Sequence, residues 1–353
     1  MTTPPVKVTS PVPRTTWTTL VGCDRRAVVS QSLAWHDCVC SDRRIIDVSR
    51  LYEFPDGRQI IVPMVRHAKV PLRLDAQSSW PKAWGVAGPI TPDGPIKAEE
   101  ARAVITDLVR TRALATSVHF RHDLEPGWLD EVRRGLLVSD HAVYVLDLDG
   151  GFGEVWDRRF HSMIRKNVRR AERSGLDIQV DRTGRLFPTY LELLEASITK
   201  WARTQHEPLA LARWRNRRAN ARAFLDLVAH HFEDACATWV ASWHDEPVAS
   251  LIVLRFGAYA KSWKAAMNVD ARGPVKGANA LLNRLAIEEA CEADLLYYDM
   301  GEARPESSLA AFKEQLGARP HVAHRLRAER LPIYAPLDST RRLTKKILRF
   351  RDA

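Results

Sequence analysis

The sequence predicts a soluble α/β protein with two domains, and three observations support this expectation. Its 353 residues exceed the length of one ordinary domain and suit two. Hydrophobic residues make up 45% and charged residues 27%, which is typical of a globular protein with a buried core. Apolar runs of strand type alternate with stretches of helical periodicity. We assign a loose tail to residues 1–14, domains to residues 15–150 and 151–338, and a basic amphipathic helix to residues 339–353.

The first half of the chain is predicted to contain strands on both sides of one clear helix. Apolar runs within residues 45–65 flank the turn Pro55-Asp56-Gly57, which predicts a hairpin. Apolar residues recur at helical spacing across residues 97–114. Strands are expected at residues 117–120 and 142–146. The glycine-dense residues after this last strand, 149–153, are expected to be a flexible junction between the domains.

The second half continues the alternation. The predicted helices are residues 160–173, 186–203 and 218–232, and a further helix carries Leu281 and Leu285. The predicted strands are residues 176–180 and three antiparallel strands within residues 236–266.

Residues 299–320 combine a strand end with a short helix and are the clearest candidate for chemistry. Gly301 breaks the aromatic strand before it, and Ser308 stands where a helix N-cap is expected. Phe312 lies on the predicted apolar face of this helix, and Lys313 follows it. An ammonium group is therefore expected beside an apolar anchor, next to a polar strand end.

The net charge of +10 and the pI near 9.5 predict anionic partners. The helix at residues 160–173 concentrates this charge on one face, because one apolar stripe is buried and the cations project elsewhere. A solvated surface is the simplest explanation, but so many cations favour a phosphate-bearing partner. The cations in and just before this helix are Arg158, Arg159, Arg165, Lys166, Arg169, Arg170 and Arg173.

A second basic segment surrounds an aromatic residue. Guanidinium groups pair with phosphate and an indole ring can stack on a base, so this segment is a further candidate for binding a nucleic acid. Trp214 could equally be a core anchor. The segment contains Arg213, Trp214, Arg215, Arg217 and Arg218.

Several motifs together resemble the Fem family of non-ribosomal peptidyltransferases, which belongs to the GNAT superfamily of acyltransferases. The resemblance covers nearly the whole chain, and the block that contains Phe312 and Lys313 is its most specific part. The motifs are the stretch 160–175, Ile198-Thr-Lys-Trp-Ala-Arg with residues 208–214, Tyr298-Asp-Met-Gly with residues 308–318, and the early Gln31-Ser32-Leu-Ala-Trp35.

This resemblance implies two tandem GNAT-like domains, with mixed β-sheets flanked by helices and a groove between the domains. It implies transfer of an aminoacyl group from aminoacyl-tRNA to an amine, on a cell-envelope precursor or a natural product. No cofactor and no metal site are expected from the sequence. The family's Phe-Lys pair falls on Phe312 and Lys313, and the lysine would stabilise the oxyanion of the tetrahedral intermediate. Acceptor contacts are expected from Trp35, Asp299, Gly301 and Glu302.

Two other functions remain open. An acyl-CoA-dependent N-acyltransferase would hold the pyrophosphate in a turn at residues 274–279, where Lys276 could still bind phosphate. This turn keeps the central glycine, Gly277, but it lacks the Arg or Gln that begins the CoA motif and the Gly or Ala that ends it. Their absence favours a donor other than CoA. A non-catalytic protein that binds RNA or assists envelope assembly is the second alternative.

The sequence also bears on location. No apolar run approaches about 18 residues, and no basic segment followed by an apolar one opens the chain. Five scattered cysteines suit a reducing compartment, so a cytoplasmic protein is expected. The basic residues 339–353 are expected to dock on their own domain or to make peripheral contact with an anionic membrane.

Overall fold

The computed structural model describes residues 6–67, 76–81, 84–121, 128, 136–217, 220–268 and 277–330. They form two compact units. The first unit contains the described residues up to Ala142 and those from His321 onward, and the second runs from Val143 to Pro320. The sequence places the boundary near residue 150 and keeps the chain in the second domain up to residue 338. The structure instead returns the chain to the first unit at His321, through a strand that the sequence analysis did not predict.

The first unit contains two sheets. An antiparallel sheet has the order β1-β3-β4, and a mixed sheet has the order β2-β5-β6-β7-β14. The hairpin predicted within residues 45–65 is confirmed by the pairing of β3 with β4. The strands are β1 (Lys7–Thr9), β2 (Ile45–Asp47), β3 (Arg50–Glu53), β4 (Gln59–Val62), β5 (Val65–His67), β6 (Ala76–Ser78), β7 (Ala115–His119) and β14 (Arg319–Glu329).

The start of the chain is more ordered than expected. Part of the predicted loose tail forms β1 and pairs with β3. Helix α1 (Arg14–Cys23) follows at once, and Trp17, Leu20 and Val21 on one of its faces are buried. Their spacing of three and four residues is the signal that could have revealed this helix.

Two further helices complete the first unit. Helix α2 (Leu33–Cys40) begins at Ser32, whose hydroxyl accepts a hydrogen bond from the backbone N–H of Trp35. Helix α3 (Ala98–Arg110) confirms the prediction for residues 97–114, and its apolar face joins a core cluster that includes Tyr52 and Phe120.

The second unit is built on a mixed sheet of order β8-β13-β12-β11-β10-β9. Strands β10, β11 and β12 are antiparallel to one another, which confirms the prediction within residues 236–266, and β9 pairs antiparallel with β10. Strand β13 runs parallel to β12 and antiparallel to β8. The strands are β8 (Leu137–Asp147), β9 (Asp177–Asp181), β10 (Cys236–Trp243), β11 (Glu246–Phe256), β12 (Tyr259–Met267) and β13 (Tyr297–Glu302).

Helices flank this sheet. The longest, α5, packs on β11 and β12, while α8 packs on β11 and on α4. The helices are α4 (Ser162–Glu172), α5 (Phe187–Gln205), α6 (Leu209–Arg217), α7 (Arg222–Phe232), α8 (Ala278–Glu292) and α9 (Ser308–Gln315).

Two segments of the second unit correct the sequence reading. Residues 209–217 were expected to connect two helices but form α6. The glycine-dense residues 149–153 do not form a flexible junction, because a helix begins at Gly151 and continues as the π-helix Val155–Arg159. Nothing in the part of the chain that the structure describes is a helix long and apolar enough to cross a membrane. The predicted basic helix at residues 339–353 lies outside the described residues.

Candidate active site

The candidate active site lies where two parallel strands of the second unit separate. The ladder between β12 and β13 has three residue pairs, and the last of them is Lys261 with Asp299. Beyond this pair β12 continues to Met267 and β13 to Glu302, without further pairing to each other among the described residues. The two strands thus form a fork, at which their facing edges, as far as the chain is described, make no ladder hydrogen bonds to each other.

A bulge in β13 follows the last pair. Asp299 lies opposite Val145 of β8 and Glu302 lies opposite Val143, so three steps on β13 match two on β8. Gly301 has a φ of +72°, a conformation that glycine adopts without strain. Its N–H donates a hydrogen bond to Oδ1 of Asp299 at 2.7 Å. The bulge turns the carbonyl groups of Gly301 and Glu302 toward α9.

Lys313 occupies the buried face of α9. The hydroxyl of Ser307 caps this helix by accepting from the N–H of Ala310, and Ala310, Lys313 and Leu316 form its buried side. The lysine residue is only 5% exposed. Its Nζ donates to the carbonyl oxygens of Gly301 at 3.0 Å and of Glu302 at 2.9 Å. An ammonium group has three N–H donors, so one remains for a ligand.

Burial and the neighbouring charged groups both act on the pKa of Lys313. Nζ lies 5.5 Å from the ring centre of Tyr144 on β8, which favours the cation. Burial lowers the pKa of Lys313 to about 8, with the nearby Asp299 raising it and Lys261 lowering it. Lys261 is itself paired with Asp299, with 2.5 Å between Nζ and Oδ2. Lys313 is therefore a cation at neutral pH whose charge depends on this ion pair.

The other residues predicted for the site differ in their access to a ligand. The sequence expected Phe312 on the buried face, but the helix places Lys313 there and leaves Phe312 half-buried. Asp299 is buried and engaged by Lys261 and by the N–H of Gly301, whereas Glu302 is exposed. Trp35 is only 2% exposed and packs within the first unit, which favours a structural role for it.

The geometry suits stabilisation of a negative charge that develops in a reaction. The two carbonyl groups hold the Lys313 ammonium in position before any substrate arrives, so little reorganisation is needed. Asp299, already bound on both oxygens, is poorly placed to take a proton. The exposed carboxylate of Glu302 can attract an ammonium group. This combination fits attack of an amine on an activated carbonyl group.

The basic helix α4 confirms the predicted buried stripe of Phe160, Ile164, Val168 and Ala171. Several of its neighbouring cations bind the protein itself. Arg159 donates to the carbonyl groups of Asp147 and Asp149, and Arg165 donates to those of Trp156 and Asp157. Arg158 pairs with Glu154, the guanidinium of Arg169 lies 5.8 Å from the ring of Trp156, and Arg173 donates to the carbonyl of Arg169.

Two cations of α4 are better placed for a partner. Lys166 and Arg170 are exposed, four residues apart on one side of the helix, and contact no acid in the described part of the chain. They are the cations of this helix that an anionic ligand can reach most easily.

The second basic segment, in α6, is largely paired. Arg213 binds Glu195 at 2.5 Å and Arg215 binds Glu207 at 2.9 Å, while Arg217 is exposed. Trp214 is 73% exposed, so it is not a core anchor. Arg218, and Lys276 in the predicted turn, lie outside the described residues.

Gly277 of that turn has a packing role. A Cβ added there would lie 2.5 Å from the carbonyl oxygen of Asn167 and 2.9 Å from Cβ of Ala171. The start of α8 therefore touches α4 through this glycine. Its presence is explained without a phosphate ligand.

Two residues of the site were not predicted from the sequence. Lys261 and Tyr144 both lie in apolar strands and carry no motif. A lysine within a strand that is otherwise mostly apolar was the only available signal for Lys261. No group of three His, Cys, Asp or Glu side chains arranged to hold a metal ion occurs among the described residues.

Comparison with known protein families finds one match within this chain. Residues 158–314 match the family described as acetyltransferase (GNAT) domain, a segment that contains α4, the fork between β12 and β13, and Lys313. The chain matches no curated protein sequence.

Solved structures resemble the chain over nearly its full length, at low sequence identity. The crystal structure of FemX is 12% identical, with 90% of this chain and 96% of that chain covered and a TM-score of 0.66. The C-terminal domain of a putative lysylphosphatidylglycerol synthetase from Agrobacterium fabrum is 14% identical, with 94% and 97% covered and a TM-score of 0.51. A tandem GNAT protein from the clavulanic acid biosynthesis pathway is 14% identical, with 92% and 98% covered and a TM-score of 0.50. The chain therefore has the fold of these solved structures, and the GNAT domain match falls on its second unit.

Proposed function

We propose that this protein is an acyltransferase that moves an aminoacyl group from aminoacyl-tRNA to an amine and forms an amide bond. The observation that carries the proposal is the Lys313 ammonium group, which is buried beside the strand fork and held by two carbonyl oxygens. The motifs around Phe312 and Lys313 resemble those of the Fem family. The domain match supports acyl transfer as the class of reaction.

The reaction assigns a defined task to Lys313. The amine nitrogen attacks the ester carbonyl carbon, and the π electrons of the carbonyl group move to its oxygen. The remaining N–H of Lys313 donates to this oxyanion. When the intermediate collapses, the bond from carbon to the ribose oxygen breaks, and the proton lost by the amine ends on that oxygen. A fixed cation at the oxyanion is worth roughly 100- to 1,000-fold in rate.

The choice of tRNA as the donor rests on the exposed cations. Lys166 and Arg170 on α4 offer charges that the chain itself does not neutralise among its described residues. The exposed indole of Trp214 adds a surface on which a base can stack. Glu302 is the group that would attract the ammonium form of the acceptor before it loses its proton.

The proposal is tested with Lys313→Met and a panel of charged tRNAs, with products identified by mass spectrometry. We expect transfer to fall by roughly 1,000-fold, while far-UV circular dichroism and RNA binding remain unchanged. Lys200→Met, at an exposed position of α5, is the matched control and should keep full activity. Unimpaired turnover by Lys313→Met would contradict the assigned role.

The same preparation separates the two alternative functions. Titration calorimetry with CoA should detect no binding in the micromolar range, and tight CoA binding with acyl transfer would identify a CoA-dependent enzyme instead. Salt-sensitive RNA binding without transfer from any donor would identify a binding protein.

A further inference from the structure

A second lysine of β12, Lys264, lies on the same face of the sheet as Lys261. Lys261 lies opposite Leu254 of β11 and Lys264 lies opposite Ile252. These two β11 residues are two positions apart, so their partners project to one side. Trp263 has no partner in this ladder and forms a bulge. Lys264 therefore lies two ladder positions beyond the strand fork, roughly 7 Å along the sheet.

The surroundings of Lys264 are polar but neutral. Its Nζ donates to Oδ1 of Asn220 at 2.7 Å and lies 4.7 Å from the ring centre of Trp263. The same amide oxygen accepts from the hydroxyl of Tyr190 at 3.1 Å, and the amide nitrogen donates to the carbonyl of Asn216 at 3.0 Å. All polar atoms of the Asn220 side chain are engaged, so its oxygen is held toward the lysine.

The ammonium group of Lys264 contacts no carboxylate among the residues that the structure describes. Burial alone lowers the pKa of Lys264, to about 8. Lys261, on the same strand, has Asp299 as its counter-ion. A buried cation with only an amide and an aromatic ring beside it is costly, because neither neutralises its charge. Two of its three N–H donors remain after the bond to Asn220.

We propose that Lys264, held in position by Asn220 and Tyr190, binds one anionic oxygen group of the amine-bearing acceptor, either a carboxylate or a phosphate. This inference rests on the proposed function, since it takes the fork between β12 and β13 as the place where the acceptor reacts. A polyanionic backbone needs a row of exposed cations such as those of α4. One largely buried ammonium group over an indole ring fits a single anionic group of a smaller ligand.

The test is competitive acylation of lysine side chains with the N-hydroxysuccinimide ester of acetic acid, read out by peptide mass spectrometry. The protein is labelled in chloride, in inorganic phosphate and in acetate at equal ionic strength. We expect phosphate or acetate to slow labelling of Lys264 by about threefold when its concentration is about twice Kd. The exposed Lys200 should label at the same rate in all three salts.

A matched variant makes the interpretation specific. Asn220→Asp places a carboxylate where the amide oxygen now contacts Lys264, and this internal anion should take the place of the ligand. We expect slow labelling of Lys264 in chloride and no further protection by phosphate or acetate. Circular dichroism checks that the variant is folded.

Each outcome decides the question. Protection by phosphate supports a phosphorylated acceptor, and protection by acetate alone supports a carboxylate. Equal labelling in all three salts, or undiminished protection in Asn220→Asp, would overturn the proposal. Labelling needs no catalysis, so this failure is distinguishable from loss of the proposed transfer activity, which the Lys313→Met experiment measures.

Discussion

The ion pair between Lys261 and Asp299 closes the last position at which β12 and β13 are bonded to each other, with 2.5 Å between Nζ and Oδ2. Both side chains are largely buried. The pair lies close enough to Lys313 for its two members to act on that lysine in opposite directions. The ion pair at the fork therefore influences the protonation of Lys313, the proposed catalytic group.

Removing either member of this pair should shift the pH dependence of transfer, and the shifts should have opposite signs. Asp299→Asn removes the carboxylate that raises the pKa of Lys313, so loss of activity at alkaline pH should begin at lower pH. Lys261→Met removes the cation that lowers this pKa, so the loss should begin at higher pH. The measurement is kcat/KM for transfer as a function of pH. Shifts in the same direction in both variants would contradict this electrostatic account.

The exposed cations of α4 should govern the salt dependence of RNA binding. Replacing both Lys166 and Arg170 by Gln should reduce the slope of log K against log salt by about 1.5, because two phosphate contacts are lost. The matched control is Arg222→Gln, since Arg222 is already paired with Asp226 at 2.7 Å. Fluorescence anisotropy with a labelled tRNA at several salt concentrations gives the slope. Equal slopes for the double variant and the wild type would exclude α4 from the RNA contact.

Gly277→Ala should destabilise the second unit. The added methyl group would lie 2.5 Å from the carbonyl oxygen of Asn167, which belongs to the backbone of α4 and cannot move aside alone. We expect a loss of about 2 kcal/mol in the free energy of unfolding. Urea denaturation followed by circular dichroism measures it. Gly153→Ala is the control, because a Cβ at Gly153 meets no atom within 4 Å. A neutral effect of Gly277→Ala would show that the two helices separate easily.

Lys264→Met should stabilise the protein at neutral pH, because it removes a buried cation that lacks a counter-ion among the described residues. The pKa of Lys264 is lowered from 10.5 to about 8 in the folded protein, so the unfolded chain holds this proton more tightly. Below pH 8 the wild type bears the full free-energy cost of burying the protonated Lys264. It disappears as the pH rises from 8 to 10.5, and the wild type gains stability over that range.

The advantage of Lys264→Met should therefore be about 3 kcal/mol at pH 7 and close to zero above pH 10.5. Denaturation at several pH values checks the trend. A difference between variant and wild type that does not change with pH would point to packing and not to charge.

Much of the second unit could be predicted from the sequence. Local patterns identify the three antiparallel strands within residues 236–266 and the buried stripe of α4, since period-two and period-3.6 patterns are long and clear there. Helix α6 was missed because Pro208 and its many arginines favour a connection. Strand β14 was missed because His and Arg side chains interrupt its apolar pattern.

The candidate site was predictable in part. The Phe312-Lys313 motif and the strand end at Asp299 identify the correct corner of the chain, because both are local in sequence. The face of α9 that is buried could not be read from eight residues, so Phe312 and Lys313 exchanged their expected positions. Lys261 and Tyr144 come from strands far from this corner in sequence, and only the sheet order brings them to it.

The bulge at Trp263 determines the side of the sheet from which Lys264 projects. If Trp263 were paired with Ile252 instead of bulged, Lys264 would lie opposite Leu251 and project from the other side of the sheet, away from Asn220 and Tyr190. A chain of the same fold in which every residue here is paired would present a different side chain to the acceptor, even if its composition were unchanged. Ligand preference in such proteins can thus change through the gain or loss of a bulge in a strand, with no alteration of the groups that perform the reaction.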